Sequence, residues 1–335
     1  MSDSLNMKQI VSVIALLCLW ASQAAANPDY WRHEWPKTDF TKHSIPLTDI
    51  LSGGPPKDGI PPIDDPTFKP VSEIDELGEI EPVIGVSING QAKAYPLRIL
   101  MRHEIDNDEL GGVPITVTFC PLCNAAMVFD RRVGDTILDF GTTGKLRNSD
   151  LVMWDRQTES WWQQFLGEAI VGSMTGTKLK ALPVRLESWR NFKERFPKGQ
   201  VLTPTGAYAS METYCGNPYG GYDTQAGPYP HFLTVDMPKG IPAMLRVVSL
   251  EDKSQAWSMA LLREKKQLKL PNGVTLNWTP GQNSALDVPE IAKGRDVGNV
   301  TATKFGPDGP VDIPYFVDFA FAYHVFFPDR KIHIR

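Results

Sequence analysis

The chain has 335 residues, of which 42% are hydrophobic and 22% charged, a globular balance that excludes a disordered chain. That length allows one large or two ordinary domains with a real hydrophobic core. A net charge of −5, with no dense Lys/Arg run, leaves a nucleic-acid role without an electrostatic footprint.

At the N-terminus Lys8 precedes an apolar run over residues 10–20, and Ala24-Ala25-Ala26 offers a small-x-small cleavage site before Asn27. The run is too short to span a bilayer comfortably. It predicts a cleavable signal peptide over residues 1–26, hence a periplasmic or secreted protein with no membrane span once the leader is removed. An uncleaved anchor fits the cleavage site less well. Cys18 lies inside the run, so the mature chain keeps Cys120, Cys123 and Cys215. An odd count in an oxidising compartment leaves a free thiol, a metal ligand or an intermolecular bridge.

Residues 27–80 form a Pro-rich arm, with Gly53-Gly54-Pro55-Pro56 and Pro61-Pro62. Tyr30, Trp31, Trp35 and Phe40 are set to pack it on the body. Asp58, Asp64 and Asp65 read as turn residues beside Gly and Pro. Asn89-Gly90, between apolar-rich runs at 83–87 and 91–95, predicts a hairpin. A short helix is expected over 96–105, ending in His103-Glu104-Ile105-Asp106-Asn107. Gly111-Gly112 then turns the chain into Ile115-Thr-Val-Thr-Phe-Cys120-Pro-Leu-Cys123. Runs rich in β-branched and aromatic residues on both sides of the cysteines predict strand, tight turn, strand. A second hairpin is expected from 126–129 and 136–140 around Gly134, and a helix over 186–196 from Leu186, Trp189, Phe192 and Phe196. Trp161-Trp162 reads as core packing.

Residues 203–242 form an irregular connector holding Cys215, a length that points to function or to a junction between domains. Beyond it, four segments echo the first half in order. Residues 248–257 match 86–95, 272–276 match 111–115, 297–305 match 171–179, and 319–328 match the region of Trp189. These echoes predict an α+β fold, predominantly β, with two lobes from an internal duplication, 81–202 and 243–335. The second lobe is degenerate: Thr279-Pro-Gly-Gln282 stands where the first has Cys-Pro-Leu-Cys, and no His matches His103.

Three chemistries compete for the cysteines. A thioredoxin-like site needs a long helix after Cys-x-x-Cys to stabilise the thiolate, and the pattern here is strand instead. Thiol–disulfide exchange by Cys120 and Cys123 remains open on another scaffold, with Cys215 as a resolving thiol. The metal reading draws on the similarity of Cys-Pro-x-Cys, followed by a residue tolerant of left-handed backbone (Asn124), to the knuckle of rubredoxin-like sites. Cys215 and His103 are the completing ligands available, a set suited to copper or zinc. The third reading is a structural disulfide in a non-catalytic binding or scaffold protein. Glu104 and Asp108 could act as acid/base groups or orient His103; a solvated helix end explains them equally well. Arg131, Arg132, Arg147 and Arg156 read as surface ion pairing more simply than as an anion site.

The chain resembles the bacterial family catalogued as domain of unknown function 3179. The residues that carry the resemblance are Gly53-Gly-Pro-Pro-Lys-Asp-Gly-Ile-Pro61, Ala94-Tyr-Pro-Leu97, His103-Glu-Ile-Asp-Asn107, Thr118-Phe-Cys-Pro-Leu-Cys123, Asn148-Ser-Asp-Leu151, Trp154-Asp-Arg156 and Gly167-Glu-Ala169. It implies a signal sequence and a weaker second copy, and no particular activity. On the residues themselves, binding of a soft metal, copper or zinc, through Cys120, Cys123, Cys215 and His103 is the leading expectation, with a protein or small-molecule partner left open.

Overall fold

The computed structural model describes residues 28–205 and 210–335. The expected signal peptide and Cys18 lie outside the described residues. The fold is α+β and mostly strand, and every α-helix among the described residues is seven residues long. No helix among them is long and apolar enough to cross a membrane.

The Asn89-Gly90 signal produces its hairpin. Both residues have positive φ (49° and 80°), the backbone of a type I′ turn that suits the strand twist. The turn joins Pro82–Ile88 to Gln91–Pro96. The helix that follows runs Leu97–His103, shorter than expected. It stops because Glu104 takes the left-handed conformation, φ 60°, and closes the helix with its N–H on the Leu100 carbonyl. The chain then enters Ile105–Leu110, turns at Gly111-Gly112 and returns as Val113–Cys120.

Two sheets share one plan. In the first, Val184–Ser188, Pro82–Ile88, Gln91–Pro96, Gln200–Thr203 and Thr67–Pro70 lie side by side, with Gln200–Thr203 parallel to Gln91–Pro96. In the other, Tyr315–Phe319, Arg246–Leu250, Gln255–Ser258 and Lys331–His333 repeat the first four places, again with the last strand parallel to its neighbour. In both, a helix follows the second strand of the hairpin in sequence, and another separates the antiparallel edge strand from the parallel one. A second pair of sheets matches in the same way: Ile105–Leu110, Val113–Cys120, Ala125–Asp130, Lys180–Ala181 against Gln267–Lys269, Val274–Thr279, Asn299–Gly306, Gly309–Asp312.

Three sequence expectations are corrected. Residues 186–188 belong to the strand Val184–Ser188, and the helix is Trp189–Arg195, because the Ser188 side chain caps it by accepting from the Asn191 N–H. The hairpin at Gly134 is the small pair Arg132–Val133 and Thr136–Ile137, since Ala125–Asp130 pairs with Val113–Cys120 and Lys180–Ala181. Residues 297–305 hold the position of Ala125–Asp130 in the shared plan rather than that of 171–179.

The first plan also carries an insertion. Between Ala125–Asp130 and Lys180–Ala181 the chain builds four strands of another sheet, Phe140–Arg147, Asp150–Asp155, Trp161–Gln163 and Glu168–Val171 in order, and Ile50–Ser52 of the N-terminal arm adds its edge beside Phe140–Arg147. The N-terminal arm packs against it, except that Tyr30, expected to join this packing, stays 75% exposed. Trp31, Trp35 and Phe40 surround Trp161 with ring centroids 4.9, 4.9 and 5.4 Å away, a separate aromatic core. Trp162, one residue on, points into the main core against Phe140, as strand alternation requires.

The two halves are stitched reciprocally. The Asn124 side chain donates to the Val317 carbonyl (2.8 Å) and the Phe319 N–H to the Cys123 carbonyl (2.9 Å). In the other direction the Ser188 N–H donates to the Asn299 side-chain oxygen (2.8 Å). The connector holds two 3-10 turns, Met211–Tyr214 and Tyr222–Thr224, and no strand among its described residues beyond the end of Gln200–Thr203.

Candidate metal centre

Cys120 ends one strand and pairs with Ala125 at the start of the next, so Cys-Pro-Leu-Cys is the turn between them. The Cys123 N–H reaches back to the Cys120 carbonyl (3.3 Å) and the Asn124 N–H to that of Pro121 (3.2 Å). Asn124 adopts φ 54°, the left-handed backbone expected of it. Both sulfurs turn toward one point on the inserted sheet. There, Asn148 (φ 55°) and Ser149 (φ 64°) form a tight left-handed turn that joins Phe140–Arg147 to Asp150–Asp155. The Ser149 carbonyl oxygen lies 3.4 Å from Cys123 Sγ and 3.9 Å from Cys120 Sγ.

That turn delivers Asp150. The two sulfurs and an Asp150 carboxylate oxygen all lie within 4.8 Å of one another, and all three residues are buried. Oδ2 of Asp150 accepts from Gln163 Nε2 (2.6 Å) and from the Phe165 N–H (3.0 Å), which fixes the carboxylate plane. Oδ1 is buried and meets no nitrogen or hydroxyl donor among the described residues, which leaves the Cys120 thiol as the carboxyl group's remaining polar neighbour. Ligand carboxylates and thiolates are normally oriented this way by neighbours, with one lone pair left for the ion. A Cys2Asp set of this kind could hold a metal ion.

The electrostatics fit that use. Burial raises both thiols above the ordinary value, and the nearby Asp150 carboxyl raises them further; Cys123 is raised the more strongly. Burial pushes the Asp150 carboxyl up to about 7, against the pull of the Phe165 N–H, the Gln163 amide and the Cys120 thiol. Glu104 is pushed up to about 8 by burial and by the charge of Asp150. Asp318, in the strand Tyr315–Phe319 that braces Cys123, is raised to about 6 by burial, although the Lys253 ammonium 3.5 Å away opposes this. Asp150, Glu104 and Asp318 are buried carboxyl groups, each raised by burial, a situation that a cation would relieve.

His103 and Cys215 fall outside the group of close ligand atoms. The His103 ring is held by hydrogen bonds at both nitrogens, Nδ1 to the Pro61 carbonyl and Nε2 to the Tyr214 hydroxyl, each 2.7 Å. Burial lowers its pKa, which favours the neutral ring. The left-handed turn at Glu104 reverses the chain directly after it, so that Glu104, not His103, exerts its charge on Cys120. Cys215 closes the 3-10 turn Met211–Tyr214 and is half-buried. Cys120, Cys123 and Cys215 are all free thiols, so the structural disulfide of the third reading is not formed; the sulfurs of Cys120 and Cys123 face the Ser149–Asp150 turn.

Glu104 and Asp108, grouped together from sequence, part ways. Both Asp108 oxygens accept from the Lys93 ammonium (2.8 and 2.7 Å), and Oδ2 also accepts from the Tyr95 hydroxyl (2.6 Å), which makes Asp108 a structural group. The arginines are ion-paired: Arg131 with Asp139, Arg132 with Asp130, and Arg156 with Asp58 and Asp64. Arg147 lies 3.8 Å from Asp49.

Asp150 is the residue that sequence reasoning did not assign. Its signal was present in Asn148-Ser149-Asp150, a turn-forming pair followed by an acidic residue.

Fold and site together define a mostly β α+β protein with a buried cysteine–carboxylate cluster between a strand turn and an inserted sheet. The family described as a protein of unknown function (DUF3179) matches residues 57–330, and the chain belongs to that family. No curated protein and no solved structure matches it.

Proposed function

We propose that the protein binds one soft or borderline metal ion, zinc or copper, through Cys120, Cys123 and Asp150. The observation that carries this reading is the cluster itself: two free sulfurs and a carboxylate oxygen of Asp150, all from buried residues, within 4.8 Å of one another. The carboxylate favours zinc, because copper(I) prefers an all-sulfur set. Three protein ligands would leave the fourth zinc position open, as in sites where the ion meets a ligand, rather than closed by four residues as in purely structural sites. The leader expected over residues 1–26 would bring the protein to the periplasm to load its metal there.

Thiol–disulfide exchange finds less support. A redox cysteine works as a thiolate that its partner can reach, whereas both sulfurs here are buried, Cys120 at 1% and Cys123 at 0% exposed.

The test is alkylation of full-length protein, kept anaerobic and without reductant, followed by intact mass, before and after a chelator. Zinc binding predicts Cys120 and Cys123 protected until the chelator is added, with metal released in parallel. A mass showing the pair as a disulfide in both samples would overturn the reading.

A further inference from the structure

A cavity of about 210 Å³ opens beside the cysteine turn. Its lining includes Leu122 from within the turn, Leu151 next to Asp150, and the side chains of Glu104, Tyr219, Tyr229 and Phe232. The aromatic wall is fixed to the turn: Tyr229 packs 4.7 Å from the Tyr222 ring, and the Tyr222 hydroxyl donates to the Leu122 carbonyl (3.0 Å).

Glu104 is the unexplained group. It is 7% exposed and lines the cavity, yet among the described residues no hydrogen bond or ion pair reaches its carboxyl group. Buried carboxyl groups are normally paired, and leaving one unpaired is costly. The fold also holds Glu104 at φ 60°, a left-handed conformation that a longer helix would have avoided. The one lysine of the lining, Lys145, does not answer it. Its Nζ lies 3.9 Å from Glu34 Oε2 and 5.3 Å from the centre of the Trp35 ring, on the side of the N-terminal arm.

A carboxyl group without a partner, set among three aromatic side chains in a small apolar hollow, is the arrangement that recognises an organic cation. Burial favours the neutral acid at Glu104, and an ammonium ion arriving there would reverse that preference, holding the group ionised so that the carboxylate takes its N–H groups while the rings line its carbon frame. We propose that this cavity binds a small organic ammonium ion, an alkylamine or arylalkylamine, with its nitrogen at Glu104 and its carbon frame against Tyr219, Tyr229 and Phe232. The inference goes beyond the metal-binding reading, because the cavity and Glu104 stand without the ion.

The experiment is isothermal titration calorimetry of the full-length protein, zinc-loaded and metal-free, with benzylamine, benzyl alcohol and benzoate as probes at neutral pH. The expected result is that benzylamine binds, benzyl alcohol binds about tenfold more weakly, and benzoate gives no measurable heat. Glu104→Gln should remove the preference for the amine, and Phe232→Leu should weaken the amine more than the alcohol even if the glutamine variant misfolds. Equal affinities for amine and alcohol, a preference for benzoate, or no binding of benzylamine would overturn the proposal. A chain that holds zinc but not benzylamine refutes the amine site alone. One that binds benzylamine but no zinc refutes the metal centre and keeps the cavity assignment.

Discussion

The side-chain amide of Asn124 donates to the carbonyl of Val317 at 2.8 Å, joining the cysteine turn to a strand 193 residues away. One asparagine thus performs two tasks, a left-handed backbone at φ 54° and a tether to the second half of the chain.

The two tasks separate by mutation. Asn124→Gly keeps the backbone conformation and removes the tether, at a cost of about 1–3 kcal/mol. Asn124→Ala removes the tether and adds the left-handed penalty of about 1 kcal/mol, so it should be the less stable of the two in denaturant unfolding. Equal stabilities would mean that the backbone conformation at Asn124 carries no strain for a residue with a Cβ.

Asp150 sets a pH dependence with a definite sign. Its carboxyl is held up at about 7, against an ordinary value of 3.8. Between those values the unfolded chain has released the proton and the folded metal-free chain retains it, so the group's contribution makes metal-free stability fall as pH rises from about 4 to about 7. Asp150→Asn should make that decline shallower in thermal melts across the same window. Metal binding runs the other way, because the ion needs ionised thiols and carboxylate. Retention should weaken as pH drops through about 7, and dialysis at stepped pH with metal counting measures this.

Cys215 offers a clean control. It is half-buried and lies outside the Cys120–Cys123–Asp150 group, so Cys215→Ser should leave metal stoichiometry unchanged. Loss of metal in that variant would restore Cys215 to the ligand set expected from the sequence.

Trp161 anchors the N-terminal arm through Trp31, Trp35 and Phe40. Trp161→Ala should cost about 3–5 kcal/mol and loosen the arm. Limited proteolysis would register this as faster cleavage before residue 50, with the rest of the fold cut at its usual rate.

Much of the local structure was legible because it follows from short-range chemistry. Asn89-Gly90 dictated its hairpin, and Cys-Pro-Leu-Cys-Asn its turn between strands. The aromatic arm announced its packing through Trp31, Trp35 and Phe40. The helix expected from Leu186 was misread because the spacing of Leu186, Trp189 and Phe192 continues across the Ser188 cap, where a buried strand becomes a helix. The ligand set was harder to read for a physical reason. His103 is nearer in sequence to the cysteines than Asp150 in type of chemistry, but ligation depends on where tertiary structure carries each side chain. A left-handed residue at Glu104 and the Asn148-Ser149 turn decide that, and neither leaves a periodic pattern in the sequence.

X-ray absorption at the zinc edge of the loaded full-length protein tests the central claim most directly. Cys120, Cys123 and Asp150 as ligands predict two sulfur neighbours at about 2.3 Å, with the remaining shell made of light atoms at about 2.0–2.2 Å. A shell with three sulfurs, or with none, would contradict it.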